Sequence, residues 1–135
     1  MPRGLSELVL IVSDVARAAD FYRDVVGLLP ETQATSEWAW FWAGEPGQRQ
    51  RLAVHKGPLL FEDQSPYPPK ERFGRVHFAL EVPGSEIAAA TARVRRAGVP
   101  LWGPVYLEWM NADSWYLYDP DGNLVEFWTP RDATV

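Results

Sequence analysis

The sequence predicts an α+β protein built from two tandem copies of one β-α-β-β-β unit. A β-branched strand, an amphipathic helix that ends at glycine and three further strands occur in this order twice. The two copies also align with few gaps, and a proline- and charge-rich segment separates them. We expect a single domain over residues 1–135, with modules at about 5–60 and 74–130 and a linker over 61–73.

The first module has clear start and stop signals for its helix. Asp14 is a good N-cap, apolar residues recur at helical spacing from Val15 to Val25, and Gly27 stands where a left-handed C-terminal cap belongs. Gly44–Gly47 has the composition of a turn. The predicted strands are Leu8–Val12, a segment near Glu31–Thr35, Trp38–Ala43 and Arg51–His55.

The second module repeats this order. Ser85 is the predicted cap of a helix that carries Ile87 and Val94 and ends at Gly98. Val12 of the first module matches Val82 at an offset of 70 residues, as expected for a duplicated module. The predicted strands are His77–Val82, Leu101–Leu107, Trp115–Tyr118 and Leu124–Trp128, with a turn at Asp119–Asn123 before the last.

Composition excludes several classes of protein. The chain is 47% hydrophobic and 23% charged, with a net charge of −5 and no cysteine, which excludes disulfide and thiolate chemistry. The acidic balance without a basic cluster argues against a nucleic-acid partner. No apolar run reaches the length of a membrane span and the first residues do not resemble a signal peptide, so we expect no membrane partner and a cytoplasmic location.

Four sequence segments carry a family resemblance, and they occur in the expected order along most of the chain. They resemble segments of the vicinal oxygen chelate superfamily, which includes glyoxalases, bleomycin resistance proteins and extradiol dioxygenases. Each segment alone is moderately specific, and the four segments together in this order make the resemblance specific. The segments are Glu7–Asp14, Phe21–Leu28, Val76–Val82 and Tyr118–Trp128.

The resemblance implies a cup-shaped, partly open barrel whose concave face holds a divalent metal ion. Carried over residue by residue, the ligand positions are Glu7, His77 and Glu126. The usual residue at the first position is histidine, so Glu7 is a departure from the family pattern. The resemblance further implies a homodimer, in which Glu7 comes from one chain and His77 with Glu126 from its partner.

Strand alternation supports these positions independently. Successive side chains point to opposite faces of a strand, so each strand has two stripes. In the first, fifth and last strands one stripe is purely apolar and suits packing under a helix. Glu7, His77 and Glu126 always lie on the opposite stripe, as ligands on a concave face should.

The predicted ligand set has one imidazole and two carboxylates, and no soft sulfur donor. It suits Mn, Fe, Co, Ni or Zn, and also Mg, without selecting among them. Three protein ligands leave positions open for water or substrate, as in catalytic sites. Each residue also has a plainer explanation: Glu7 as a solvated charge and His77 as a core histidine. Glu126 fits the plain explanation least, because an unpaired buried carboxylate is costly.

Further residues are candidates for the concave face. By the repeat alignment Ala53 matches Glu126, and His55, two residues on, should share that face as a general base or outer-shell group, or be a plain strand-end histidine. Seven tryptophans are unusual for this length and fit a cavity, an interface or the core. The candidate substrate pocket is the stripe of Trp38, Trp40 and Trp42 with its counterparts Tyr116 and Tyr118, which faces either the cavity or a dimer interface.

Two functions follow as hypotheses. The first is a divalent-metal-dependent enzyme (a lyase, isomerase or dioxygenase) whose small substrate chelates the ion through vicinal oxygens. The second is a metal-free protein of the bleomycin-resistance type that binds and sequesters an aromatic or drug-like molecule. The sequence identifies neither the substrate nor the metal.

Overall fold

The computed structural model describes residues 1–57 and 64–131 and contains two four-stranded mixed sheets. Together with one helical segment per sheet they confirm the predicted α+β class; the two sheets do not close into a barrel. The first three residues of the predicted linker, 61–63, lie outside the described residues. The strands are β1 (Glu7–Ile11), β2 (Leu29–Pro30), β3 (Trp38–Trp42), β4 (Arg51–His55), β5 (His77–Glu81), β6 (Trp102–Leu107), β7 (Ala112–Tyr118) and β8 (Leu124–Pro130).

The two sheets have the same topology, which confirms the duplication. Their strand orders are β1-β4-β3-β2 and β5-β8-β7-β6. In each sheet the first strand pairs parallel with the last, and the remaining pairs are antiparallel. Val9 lies beside Ala53 in the first sheet as Ala79 lies beside Glu126 in the second, so Ala53 is the counterpart of Glu126 as predicted.

The second strand was predicted wrongly. It is the short Leu29–Pro30 rather than a segment near Glu31–Thr35. The hydroxyl of Thr35 accepts hydrogen bonds from the backbone N–H groups of Trp38 at 2.9 Å and Glu37 at 3.2 Å, which closes a turn instead. Pro30 lacks an N–H group, so it cannot donate to a sheet ladder.

The first helical segment matches its prediction. Helix α1 (Val15–Asp20) is capped by the Asp14 carboxylate, which accepts from the Arg17 N–H at 3.1 Å. The chain continues as a π-helical segment over Phe21–Val26 and ends at Gly27, whose φ of 88° is left-handed. Glycine adopts this conformation without the steric cost that a Cβ imposes.

The predicted cap of the second helix is wrong. Helix α2 (Ile87–Arg96) has Glu86 at its N-cap position and no side-chain capping bond. The Glu86 N–H donates to the Pro83 carbonyl at 2.8 Å, so a backbone turn leads into the helix. Ser85 lies inside this turn and does not cap. Within the described residues, no helix is both long and apolar enough to cross a membrane.

One hydrophobic core serves both sheets. Leu10 and Phe41 of the first sheet belong to the same buried cluster as Leu117 and Phe127 of the second, and both helical segments contribute to it. The helix-facing stripes of the two sheets therefore meet in one interior. The opposite stripe of each sheet, called here its open face, lies away from this core.

Tyr22, at the centre of the core, also links the two modules. Its ring centroid lies 6.3 Å from that of Phe41 and 6.4 Å from that of Phe78, one in each sheet. Its hydroxyl donates to Asp119 Oδ2 at 2.6 Å in the turn between β7 and β8. Burial, together with the carboxylate of Asp119, raises the pKa of Tyr22 above its ordinary value, so the hydroxyl stays a donor.

Candidate metal centre

The open face of the second sheet brings together two predicted metal ligands. His77 begins β5 and Glu126 lies in the middle of the adjacent strand β8. His77 Nε2 and Glu126 Oε1 are 2.9 Å apart, with the His77 side chain 50% exposed and the Glu126 side chain 9% exposed. An accessible imidazole and a buried carboxylate therefore approach each other at the surface of the sheet.

The second oxygen of Glu126 is held from the neighbouring strand. The hydroxyl of Ser114 in β7 donates to Glu126 Oε2 at 2.5 Å, and Ser114 is completely buried. Sequence reasoning missed Ser114, because the strand was predicted to begin at Trp115. Extending the alternation backwards from Tyr116 and Tyr118 would have placed Ser114 on the same open face.

The spacing of the two ligand atoms fits a shared ion. Metal–nitrogen and metal–oxygen bonds in such sites are about 2.1 Å, so two ligands at a right angle lie about 3.0 Å apart. The 2.9 Å between His77 Nε2 and Glu126 Oε1 is a hydrogen-bond distance, and it is also close to this ligand separation. The imidazole and carboxylate donors also suit a first-row divalent ion.

Glu7, the third predicted ligand, lies on the open face of the other sheet. It begins β1 and is exposed, and its Oε2 accepts a hydrogen bond from the indole N–H of Trp40 at 3.3 Å. Within residues 1–57 and 64–131 of one chain, no three acidic, histidine or cysteine side chains converge as a metal site. A single chain thus brings His77 and Glu126 together and leaves Glu7 apart.

The predicted aromatic stripe lies on the open face beside Glu7. Trp38, Trp40 and Trp42 alternate in β3 with the buried Ala39 and Phe41, which face the core. The rings of Trp38 and Trp40 stack with centroids 4.7 Å apart and an interplanar angle of 1°. These three tryptophans therefore do not pack in the core of the chain, and whether their stripe faces a cavity or a dimer interface stays a prediction.

Tyr116 and Tyr118 occupy the equivalent open face of the second sheet. Tyr116 lies directly beside Glu126 across the β7–β8 ladder, and its ring centroid is 6.3 Å from that of His77. Tyr118 is paired with Leu124 and is about half exposed. Aromatic side chains thus border the His77–Glu126 pair within its own sheet.

His55 lies at the end of β4 on the same open face as the tryptophans, in contact with Trp38. The two ring centroids are 3.7 Å apart. His55 is 6% exposed, and its Nδ1 accepts the backbone N–H of Gly57 at 2.6 Å. The neutral ring therefore carries its proton on Nε2. A general base needs a free lone pair, and the lone pair on His55 Nδ1 is occupied by the hydrogen bond from Gly57. The role of His55 as a general base stays a prediction, and it requires this hydrogen bond to break.

Comparison with known proteins gives one family. Residues 4–127 match the model of the Glyoxalase/Bleomycin resistance protein/Dioxygenase superfamily. The chain is 26% identical over 126 residues to glutathione transferase FosA of Serratia marcescens, covering 93% of this chain and 80% of that protein.

Two solved structures share the fold over nearly the whole chain. An integron cassette protein from the mobile metagenome of the Halifax Harbour sewage outfall has a TM-score of 0.71 and 26% identity, covering 95% of this chain and 99% of the other. The fosfomycin resistance protein FosX from Listeria monocytogenes, solved with Mn(II) and sulfate, has a TM-score of 0.67 and 22% identity, covering 97% and 93%. The chain belongs to the glyoxalase/bleomycin resistance protein/dioxygenase superfamily.

Proposed function

We propose that this protein is a divalent-metal-dependent enzyme whose small substrate chelates the ion through two vicinal oxygens. The proposed metal ligands are Glu7, His77 and Glu126. The observation that carries the proposal is the 2.9 Å approach of His77 Nε2 to Glu126 Oε1 on an open sheet face. An imidazole nitrogen and a carboxylate oxygen this close on an open face form a donor pair that a divalent ion can share.

The proposed site is completed by a second copy of the chain. The helix-facing stripes of both sheets are buried in one core. Glu7 therefore lies on the open face of the first sheet, and the His77–Glu126 pair lies on the open face of the second. A partner that lays its first sheet against the second sheet of this chain can bring its own Glu7 to the pair. A symmetric homodimer would then contain two equivalent sites.

Each ligand residue has a defined part in the proposed chemistry. His77 presents Nε2, and Glu126 presents Oε1 while Ser114 holds Oε2. The two carboxylates, Glu7 and Glu126, balance the charge of the ion and keep it in place. When bound, a divalent ion polarises the oxygens of a chelating substrate and stabilises negative charge that develops on them.

The aromatic side chains shape the rest of the proposed cup. The stacked pair Trp38 and Trp40 provides a flat apolar wall on the first sheet, and Tyr116 borders the ligand pair on the second. Such walls exclude water around the ion and favour flat or apolar substrates. The substrate class is therefore a small chelating molecule with an apolar part.

Metal analysis of untagged protein tests the proposal. Protein freed of metal with a chelator and titrated with Mn²⁺ should bind about one ion per chain, and Glu126→Gln should lose most of this affinity. Glu81→Gln is the matched control, because Glu81 is an exposed glutamate in the same sheet, beside Trp128 of β8. Its affinity should equal that of the wild type.

The position of Glu7 is tested in the same titration. Glu7→Gln should weaken Mn²⁺ binding, and mixing Glu7→Gln chains with Glu126→Gln chains should restore one intact site per mixed dimer. Restoration in the mixture is the signature of a shared site. Wild-type protein without affinity for Mn²⁺, Fe²⁺, Co²⁺, Ni²⁺ or Zn²⁺ would overturn the enzyme proposal.

A second function, metal-free binding of an aromatic molecule, has one observation in its favour. The Trp38–Trp40 stack lies on an open face rather than in the core, where it could receive a flat ligand. Under this alternative the chelator-treated protein should show strong quenching of tryptophan fluorescence by a planar aromatic probe. Trp38→Leu should abolish the quenching, and Mn²⁺ should leave it unchanged.

A further inference from the structure

The hydroxyl of Ser114 is buried against the carboxylate of Glu126. It lies in β7, is completely buried, and its Oγ is 2.5 Å from Glu126 Oε2. In the β7–β8 ladder it is paired with Trp128, two residues beyond Glu126 on the same face. The hydroxyl reaches sideways across the ladder to the carboxylate.

The two oxygens of Glu126 are therefore divided between two partners. Oε2 accepts from Ser114 and Oε1 faces His77 Nε2 at 2.9 Å. The Ser114 bond fixes the orientation of the carboxylate and occupies one lone pair of Oε2, so Oε1 is the oxygen left facing His77. An ion held beside His77 would then meet Oε1 first.

The duplicated architecture supplies an independent comparison within the chain. Pairing with the last strand of each sheet makes Trp38 the counterpart of Ser114 and Ala53 the counterpart of Glu126. The first module thus lacks both the carboxylate and the hydroxyl at these places. The hydroxyl occurs in the module that also has the carboxylate.

We infer that Ser114 is a positioning residue for the proposed metal site, which makes Glu126 a one-oxygen ligand. This inference rests on the proposed function. Three protein ligands that each give one atom leave half of the positions of an octahedral ion free. A two-oxygen carboxylate would take one of them, so the hydroxyl keeps room for a substrate that chelates through two oxygens.

Mn²⁺ titration of Ser114→Ala tests the inference, with Ser114→Thr as the variant that keeps the hydroxyl. Ser114→Ala should bind Mn²⁺ about 10- to 100-fold more weakly, as is typical when an outer-shell partner of a ligand is lost. Its manganese EPR spectrum should also change, because the carboxylate becomes free to bind through both oxygens. Ser114→Thr should restore both the affinity and the wild-type spectrum.

The readouts separate positioning from mere stabilisation. A purely structural serine would lower the melting temperature of the metal-free protein and leave the Kd for Mn²⁺ and the EPR spectrum unchanged, which would overturn the inference. If Ser114→Ala does not fold, Ser114→Cys fills the same space with a poorer donor and should still bind Mn²⁺ more weakly than wild type. Wild type without affinity for Mn²⁺, Fe²⁺, Co²⁺, Ni²⁺ or Zn²⁺ would overturn the proposed function as well; an unchanged Ser114→Ala beside a binding wild type overturns this inference alone.

Discussion

Tyr22→Phe should destabilise the fold by breaking the buried link between the modules. The change removes only the hydroxyl that donates to Asp119 Oδ2 at 2.6 Å and leaves the ring in the core. A hydrogen bond to a charged group is worth about 1.5–3 kcal/mol. Asp119 keeps the N–H groups of Asp121 and Asn123 and the Asn123 side chain as donors, so its turn should survive.

The expected loss converts into a measurable shift of the melting temperature. Unfolding entropy is about 2.1 cal/mol/K per residue, so a chain of 135 residues loses about 3.5 °C for each kcal/mol. Tyr22→Phe should therefore melt about 5–10 °C below wild type in a circular dichroism scan. Tyr67→Phe, at an exposed tyrosine, is the control and should stay within about 0.5 kcal/mol of wild type.

A double-mutant cycle identifies the partner of the hydroxyl. Tyr22→Phe, Asp119→Ala and the double variant should give a coupling energy of about 1–3 kcal/mol, measured at one protein concentration because assembly shifts apparent stability. Equal melting temperatures for Tyr22→Phe and wild type, or a coupling energy near zero, would refute the reasoning. The link would then carry no net stability despite its geometry.

Two further predictions concern the same region of the fold. Burial and Asp119 raise the pKa of Tyr22 in the folded state, so its stabilisation is present below a pH of about 10 and is lost as the pH rises further. Above that pH the free energy of unfolding of the wild type should fall by up to about 1.4 kcal/mol per pH unit more than that of Tyr22→Phe. Parallel curves of unfolding free energy against pH for the two proteins would contradict this. Gly27→Ala and Gly47→Ala should each cost about 1–2 kcal/mol, because both glycines have a left-handed φ (88° and 84°) and the methyl added at Gly27 meets only the movable end of the Arg93 side chain; a much larger loss at Gly27 in urea unfolding would contradict this.

The parts of the fold that sequence reasoning predicted are those that depend on local periodicity. The alternation in β1, β5 and β8 identified the apolar stripe that faces the core, and the repeated order of elements with few gaps identified the duplication. Asp14 and Gly27 marked the ends of the first helical segment because a cap is a property of a few adjacent residues.

The parts that sequence reasoning missed depend on partners distant in the chain or on competing turns. The segment near Glu31–Thr35 is predicted as a strand, yet the hydroxyl of Thr35 closes a turn. The bond from Tyr22 to Asp119 joins residues 97 positions apart, which no local pattern contains. The pairing of Ser114 with Glu126 required knowing that β7 begins at Ala112.

The core explains why the candidate site is divided. Tyr22 packs between the two sheets and binds the β7–β8 turn, so the helix-facing stripes are fixed together and the open faces remain uncovered. Large aromatic side chains on the second open face, Trp102 and Tyr118, are consequently about half exposed. The proposed second copy of the chain would cover this exposed aromatic surface. The same face carries His77 and Glu126, so a second copy that covers the aromatic surface would also approach this ligand pair. Dimerisation and assembly of the proposed site would then occur together.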